Sequence, residues 1–472
     1  MNRQQFIRQA SFASAGILLS KYASAHSRAD FPEVRVPAGK RNFTSEAIEN
    51  AIQQVQKNAA NKELAWLFNN CFPNTLDTTV EFSLVNGRPD TYVITGDIDA
   101  MWLRDSTAQV WPYLQFTKTD TPLRQLIAGV VNRQMNNIAY DPYANAFYKD
   151  RNKVGEWKND HTDMKPGLHE RKWEIDSLCY PIRLSYGYWK TTGDKSIFDD
   201  QWANAAKLIV KTFREQQRKN GNGPYKFERT TSWATDGVPL GGYGYPAAPV
   251  GLIYSMFRPS DDATIFPFLI PANFFAVISL KQMAEIFTAI YNDTAAATDC
   301  KQLATEVSAA LAKHATTTHP QFGKIYAYEV NGLNSLNLMD DANVPSLLSL
   351  PYLGALSVSD PVYQNTRKFL FSTQNPFYFK GTAGEGIGGP HVGVNMIWPL
   401  SIIMRGLTSN NEQEIKNCID TLRKTHGGTG FMHEAFHKDD AAKFTRKWFA
   451  WANTLFGELV WHTYVSKPHL LR

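Results

Sequence analysis

Apolar residues return at steps of three and four along most of this chain. Leu123, Leu126, Ile127, Val130, Val131, Met135 and Ile138 do so over one stretch, which places them on a single helix face. The same spacing links Trp202, Ala205, Ile209 and Phe213, then Leu303, Val307, Ala310 and Leu311, then Ile415, Cys418, Ile419 and Leu422. Each set predicts an amphipathic helix with one buried stripe. Start and stop signals agree: Ser45 precedes Glu46 and a helix to about Lys57, and Thr192-Gly193-Asp194 punctuates the gap before the Trp202 helix. About a dozen such segments lie between residues 44 and 466, arranged in pairs.

Connectors rich in Gly, Pro and aromatic residues separate the pairs, at 96–106, 230–249, 257–267, 381–390 and 427–436. One stretch departs from the helical spacing: residues 79–85 and 91–95, split by Asn86-Gly87, predict a small β-hairpin. No interdomain linker, short repeat or low-complexity tract appears. Helical hairpins in this number predict an all-α (α/α)6 toroid whose long connectors form a pocket at one end.

Composition narrows the class. Of 472 residues, 43% are hydrophobic and 20% charged, enough for a large core and against widespread disorder. The net charge of +5 is scattered, so no basic stripe suits nucleic acid. Cys71, Cys179, Cys300 and Cys418 have no zinc-ligand spacing and read as buried free thiols. At the N-terminus, Arg3 and Arg8 precede an apolar stretch at 10–20 and then Ala23-Ser24-Ala25, the pattern of an export signal cleaved after Ala25. Arg3-Gln4-Gln5-Phe6-Ile7 resembles a twin-arginine signal with Gln in place of the second Arg. The expectation is a leader at 1–25 and one catalytic domain at 26–472, periplasmic or secreted. No later run of about 18 uninterrupted apolar residues occurs, so no membrane span is expected.

Three connectors carry candidate chemistry. The first holds Asp97, Asp99, Trp102, Arg104 and Asp105 within one turn and a helix start. A guanidinium fork beside a carboxylate suits vicinal sugar hydroxyls, and Trp102 suits a sugar face; a capped helix start is the alternative. The second reads Phe257-Arg258-Pro259-Ser260-Asp261-Asp262-Ala263. Adjacent carboxyls with apolar flanks repel one another and are poorly solvated, and both effects raise a carboxyl pKa and favour a proton donor. Its bland alternative is a capping box with one Asp paired to Arg258. The third, Gly427 to His437, sets Glu434 between Met432 and Phe436 with His433 and His437 nearby. The two histidines fit a metal only on a helix; the preceding glycines argue for a loop, and no second cluster completes a ligand set. Gly386-Ile387-Gly388-Gly389-Pro390-His391 lacks the strand and the Gly-Lys-Ser/Thr ending of a phosphate loop.

These residues, in order, resemble glycoside hydrolase family 125, the exo-acting α-1,6-mannosidases. The resemblance rests on residues 96–106 (GDIDAMWLRDS), 174–181 (EIDSLCYP), 257–263 (FRPSDDA), 433–436 (HEAF) and 445–453 (TRKWFAWAN). Family members often read Glu-Ser-Phe where this chain has Glu434-Ala435-Phe436. The resemblance implies an (α/α)6 toroid, no metal or other cofactor, and inverting hydrolysis of terminal mannose in mannose-containing oligosaccharides such as N-glycans. Carried over, the base falls on Glu434 and the acid on Asp261 or Asp262, with both left open. Trp102-Leu103-Arg104-Asp105 is also similar to a sugar-gripping motif of glucoamylases. Asp99, Arg258, His391 and Arg446 are further candidates for the substrate-binding wall. The rival readings are another inverting glycosidase or a phosphorylase on the same toroid, and a non-catalytic glycan-binding protein.

Overall fold

The computed structural model describes residues 31–472; the leader expected at 1–25 lies outside the described residues. Thirteen α-helices run through the described residues: α1 (Glu46–Asn58), α2 (Lys62–Cys71), α3 (Asn74–Thr78), α4 (Leu103–Val110), α5 (Thr121–Tyr140), α6 (Ile175–Thr192), α7 (Asp200–Glu215), α8 (Ile270–Ile286), α9 (Thr294–His314), α10 (Pro361–Leu370), α11 (Pro399–Leu407), α12 (Glu412–Lys424) and α13 (Ala450–Ser466). All four periodic stripes read from the sequence lie on helices, α5, α7, α9 and α12, and are buried.

The packing is that of an (α/α)6 toroid. An inner ring runs α11 against α13, α13 against α4, α4 against α6 and α6 against α8, and outer helices back it, with α9 on α8 and α12 on α11. Between α8 and α11 the inner position is filled by an irregular turn segment at 343–353, whose Val344 carbonyl accepts a hydrogen bond from the Tyr180 hydroxyl of α6 at 2.8 Å. The inner helices are buried nearly all round, which is why α8 and α13 show no clear polar stripe. The helix Ile270–Tyr291 is apolar and long enough to cross a membrane by length and composition alone. It carries Lys281 and Glu285, and it packs between α6 and α9 within the toroid.

The two rings start differently. Outer helices begin on capping side chains: Ser45, Asn61, Asp120, Asp199, Asp293, Asp360 and Asn411 each accept a first-turn backbone N–H. Inner helices begin on Trp102, Glu174, Leu269, Trp398 and Phe449, none of which caps with its side chain. These inner starts carry the candidate motifs, so positive helix ends meet the acidic residues there.

The predicted hairpin is present as β1 (Val80–Val85) and β2 (Arg88–Val93), joined by Asn86 and Gly87 at φ 51° and 77°. It is not the exception expected: fifteen short strands form six small sheets among the described residues. Segments of two to four residues, such as Met101–Trp102 against Ala146–Phe147 and Met396–Ile397 against Ala435–His437, are too short to show alternation. They tie the connectors to one another. All four cysteines are buried free thiols.

Candidate active site

The first and last connectors meet at the start of α4 and α13. The Ala450 N–H donates to the Thr95 carbonyl at 3.1 Å, and Gly96 pairs with Phe449 in an isolated bridge. Arg446, at φ 37°, donates from Nε to Asp97 Oδ1 at 2.9 Å and from Nη2 to Thr95 Oγ1 at 3.1 Å. Its Nη1 lies 3.6 Å from Glu434 Oε1. Glu434 is buried, and Asn453 of α13 fixes its loop by receiving the Met432 carbonyl and N–H: Nδ2 donates at 3.2 Å and Oδ1 accepts at 2.9 Å. The sequence pointed to Glu434 as base and Arg446 as a wall candidate without pairing them, and gave no sign that Asn453 and Asp97 support them.

The second connector meets the first through Arg104. This buried guanidinium donates from Nη1 to Glu174 Oε2 at 2.6 Å and to Asp176 Oδ2 at 3.2 Å, and from Nη2 to Asp261 Oδ1 at 2.9 Å. Its Nε lies 3.5 Å from Asp105 Oδ2. Lys172 Nζ donates to the Asp261 carbonyl at 2.8 Å and to Asp236 Oδ1 at 2.6 Å. Asp261 sits at φ 68°, which turns it away from its neighbour. Asp262 instead accepts from Ser260 Oγ at 2.8 Å and lies 3.5 Å from His391 Nδ1. His391, the residue just after the 381–390 connector, therefore joins the site.

These surroundings reverse the upward pKa shift expected for the two aspartates. Burial pushes both aspartates up, but the Arg104 guanidinium outweighs it at Asp261. At Asp262, burial is outweighed by the nearby His391 and by the hydrogen bond from Ser260 Oγ. Both carboxyls end below the usual range. Neighbouring buried acids go the other way: burial pushes Asp105 and Asp176 up to about 6 despite Arg104, and Glu174 well above the ordinary value. The sequence reading named neither Glu174 nor Asp176 as a site residue, although both lie in the EIDS motif.

Four other candidates have plainer places. The Arg258 guanidinium is buried and donates from Nε to Glu329 Oε1 at 2.7 Å rather than to either aspartate, while its backbone N–H donates to the Asp262 carbonyl at 2.8 Å and its carbonyl accepts from the Asp261 N–H at 2.9 Å. Trp102 is buried, with its edge toward His169 at 5.0 Å between ring centroids, so it forms wall rather than an open platform. Asp99 is 70% exposed and pairs with Lys153, with no bond to the other candidates among the described residues. His433 is stacked on Phe444 at 3.7 Å, and its Nε2 lies 3.2 Å from the His426 carbonyl. Among the described residues no group of three or more His, Cys, Asp or Glu side chains is placed to hold a metal.

A helical toroid with carboxyls, an arginine and histidine gathered at the inner helix starts has the composition of a glycoside hydrolase site. The chain belongs to the family of metal-independent α-mannosidases, glycoside hydrolase family 125, whose model matches residues 61–461. It is 41% identical to the meiotically up-regulated gene 157 protein of Schizosaccharomyces pombe, over 93% of this chain and 90% of that one. It is 42% identical to a Streptococcus pneumoniae metal-independent α-mannosidase solved in a non-productive complex with α-1,6-mannobiose. That likeness covers 90% of this chain and 100% of the other, with a TM-score of 0.87.

Proposed function

We propose that this α-mannosidase removes terminal α-1,6-linked mannose from glycans with inversion, using Glu434 as base and Asp261 as acid. One observation carries the residue assignment. Glu434 lies 3.6 Å from Arg446, Arg446 pairs with Asp97 of the first connector, and Arg104 of that same connector, beside Asp105, holds Asp261. Base and acid, from different connectors, thus flank one Arg–Asp pair suited to gripping sugar hydroxyls. Inversion needs two carboxyls about 6.5 to 9.5 Å apart, one to protonate the leaving oxygen and one to activate water on the other face.

Between the two aspartates, accessibility favours Asp261. Its side chain is 24% exposed and that of Asp262 is 2% exposed. A proton donor must touch the leaving oxygen, whereas Asp262 is engaged in fixing Ser260 and His391. The streptococcal relative's complex supports the linkage, and its description with N-linked glycan processing supports that substrate class. The leader pattern supports export, with residues 26–472 as the mature catalytic domain.

Glu434→Gln tests the base. Turnover of α-1,6-mannobiose falls by about 10²- to 10⁴-fold while titration calorimetry shows mannobiose still binding. Wild-type turnover by this variant overturns the assignment.

A further inference from the structure

Arg104 lies within 4 Å of four acidic side chains, Asp105, Glu174, Asp176 and Asp261. Three of these carboxyls are at most 8% exposed, and one positive charge does not balance four negative ones in that setting. Lys172 approaches from the strand side, but it is shared with Glu170 and Asp236 and reaches Asp261 only at the carbonyl. Asn145 Nδ2 lies 3.5 Å from Asp261 Oδ1 and adds no charge.

Glu174 is the odd member of the cluster. Ser177 Oγ at 2.7 Å and Arg104 Nη1 at 2.6 Å both donate to its Oε2. Its buried Oε1 receives no donor among the described residues, and its carboxyl and that of Asp261 are held side by side on the two terminal nitrogens of one guanidinium, Glu174 on Arg104 Nη1 and Asp261 on Nη2. Two buried carboxyls gathered on one guanidinium repel when both are ionised, and a proton held between them relieves that repulsion.

We propose that Glu174 is a positioning residue for the acid: its carboxyl and that of Asp261 hold one proton between them, so that Asp261 has a proton to give. This rests on Asp261 being the acid. In the reaction the shared proton moves to the glycosidic oxygen as the bond from that oxygen to the anomeric carbon breaks. The water oxygen bonds the anomeric carbon, and Glu434 takes the proton that water sheds. The pair is left doubly ionised beside Arg104 and regains a proton from solvent, to which Glu434 gives one up. The direction of the Glu174 displacement, upward through burial first and then Asp261 and Asp176 against the pull of Arg104, agrees with that shared placement.

The experiment compares Glu174→Gln, Asp261→Asn and wild-type enzyme on α-1,6-mannobiose and on 2,4-dinitrophenyl α-mannoside, whose leaving group needs no proton. In Glu174→Gln the basic limb of the kcat/KM profile on mannobiose moves down by about one pH unit or more, because a lone Asp261 beside Arg104 loses its proton earlier. The rate on the dinitrophenyl substrate stays within about threefold, since acid catalysis is bypassed. An unmoved limb, or equal losses on both substrates, overturns the proposal. Glu174→Asp, which withdraws the carboxyl by one methylene and keeps its charge, serves if the glutamine variant does not fold: the same downward shift is expected, and an unmoved limb again overturns it. Asp261→Asn separates the two levels. If it loses activity equally on both substrates, Asp261 is not the acid; if it is selectively impaired on mannobiose while Glu174→Gln leaves the limb in place, only the proton-sharing role fails.

Discussion

Asp261 and Asp262 are adjacent in the chain and belong to different electrostatic neighbourhoods, one facing an arginine and the other a serine and a histidine. Adjacency and apolar flanks would raise both; the partners supplied by distant connectors lower both. Glu458 of α13 shows the opposite outcome. Burial raises it to about 7, opposed by a hydrogen bond from the Tyr352 hydroxyl at 2.9 Å and by Arg183. A carboxyl raised on folding contributes stability at low pH that is lost as pH climbs through its folded pKa, here between about 4.5 and 7. Relative to wild type, Glu458→Gln should gain melting temperature between pH 5 and pH 8, read by thermal unfolding at both values. A difference that stays flat across that range contradicts the raised ionisation.

Among elements, the apolar stripes were the signal most readable in advance, with the Ser45 cap beside them; the acidic and amide caps of the other outer helices follow the same residue preference. Inner helices start on aromatic and apolar residues, a pattern that looks like continuing core rather than a boundary. The short strands were unreadable for another reason: two or three residues contain no period. Their backbone pairings are nevertheless what set the site. At Gly96, φ is 128° and an added Cβ would stand 2.5 Å from the Trp448 carbonyl oxygen. Gly96→Ala must therefore separate the first connector from the last, moving Arg104 relative to Arg446. Expected are a drop in kcat/KM of about tenfold or more and a melting temperature roughly 5 °C lower, a strain of the order that backbone clashes produce. Wild-type kinetics in this variant would show that the contact does not position the site.

For the whole molecule, the toroid brings Asp97, Asp261, His391 and Glu434 together from four connectors and points the inner helix starts at them. The proposed export adds a test at this scale: protein recovered from the periplasm or medium should begin at His26, read by intact mass, and an N-terminus still carrying residues 1–25 contradicts cleavage. The sequence by itself determined the helical stripes, the outer caps, the β-hairpin and the identity of the acidic connectors, because spacing and residue type are local properties of the chain. Only the tertiary structure decided which carboxyls share Arg104, why Asp261 rather than Asp262 reaches outward, and that Glu174 sits on the same guanidinium as Asp261. Those outcomes depend on distance and burial between residues far apart in the chain, and a carboxyl's proton is governed by the charges around it rather than by its neighbours in sequence.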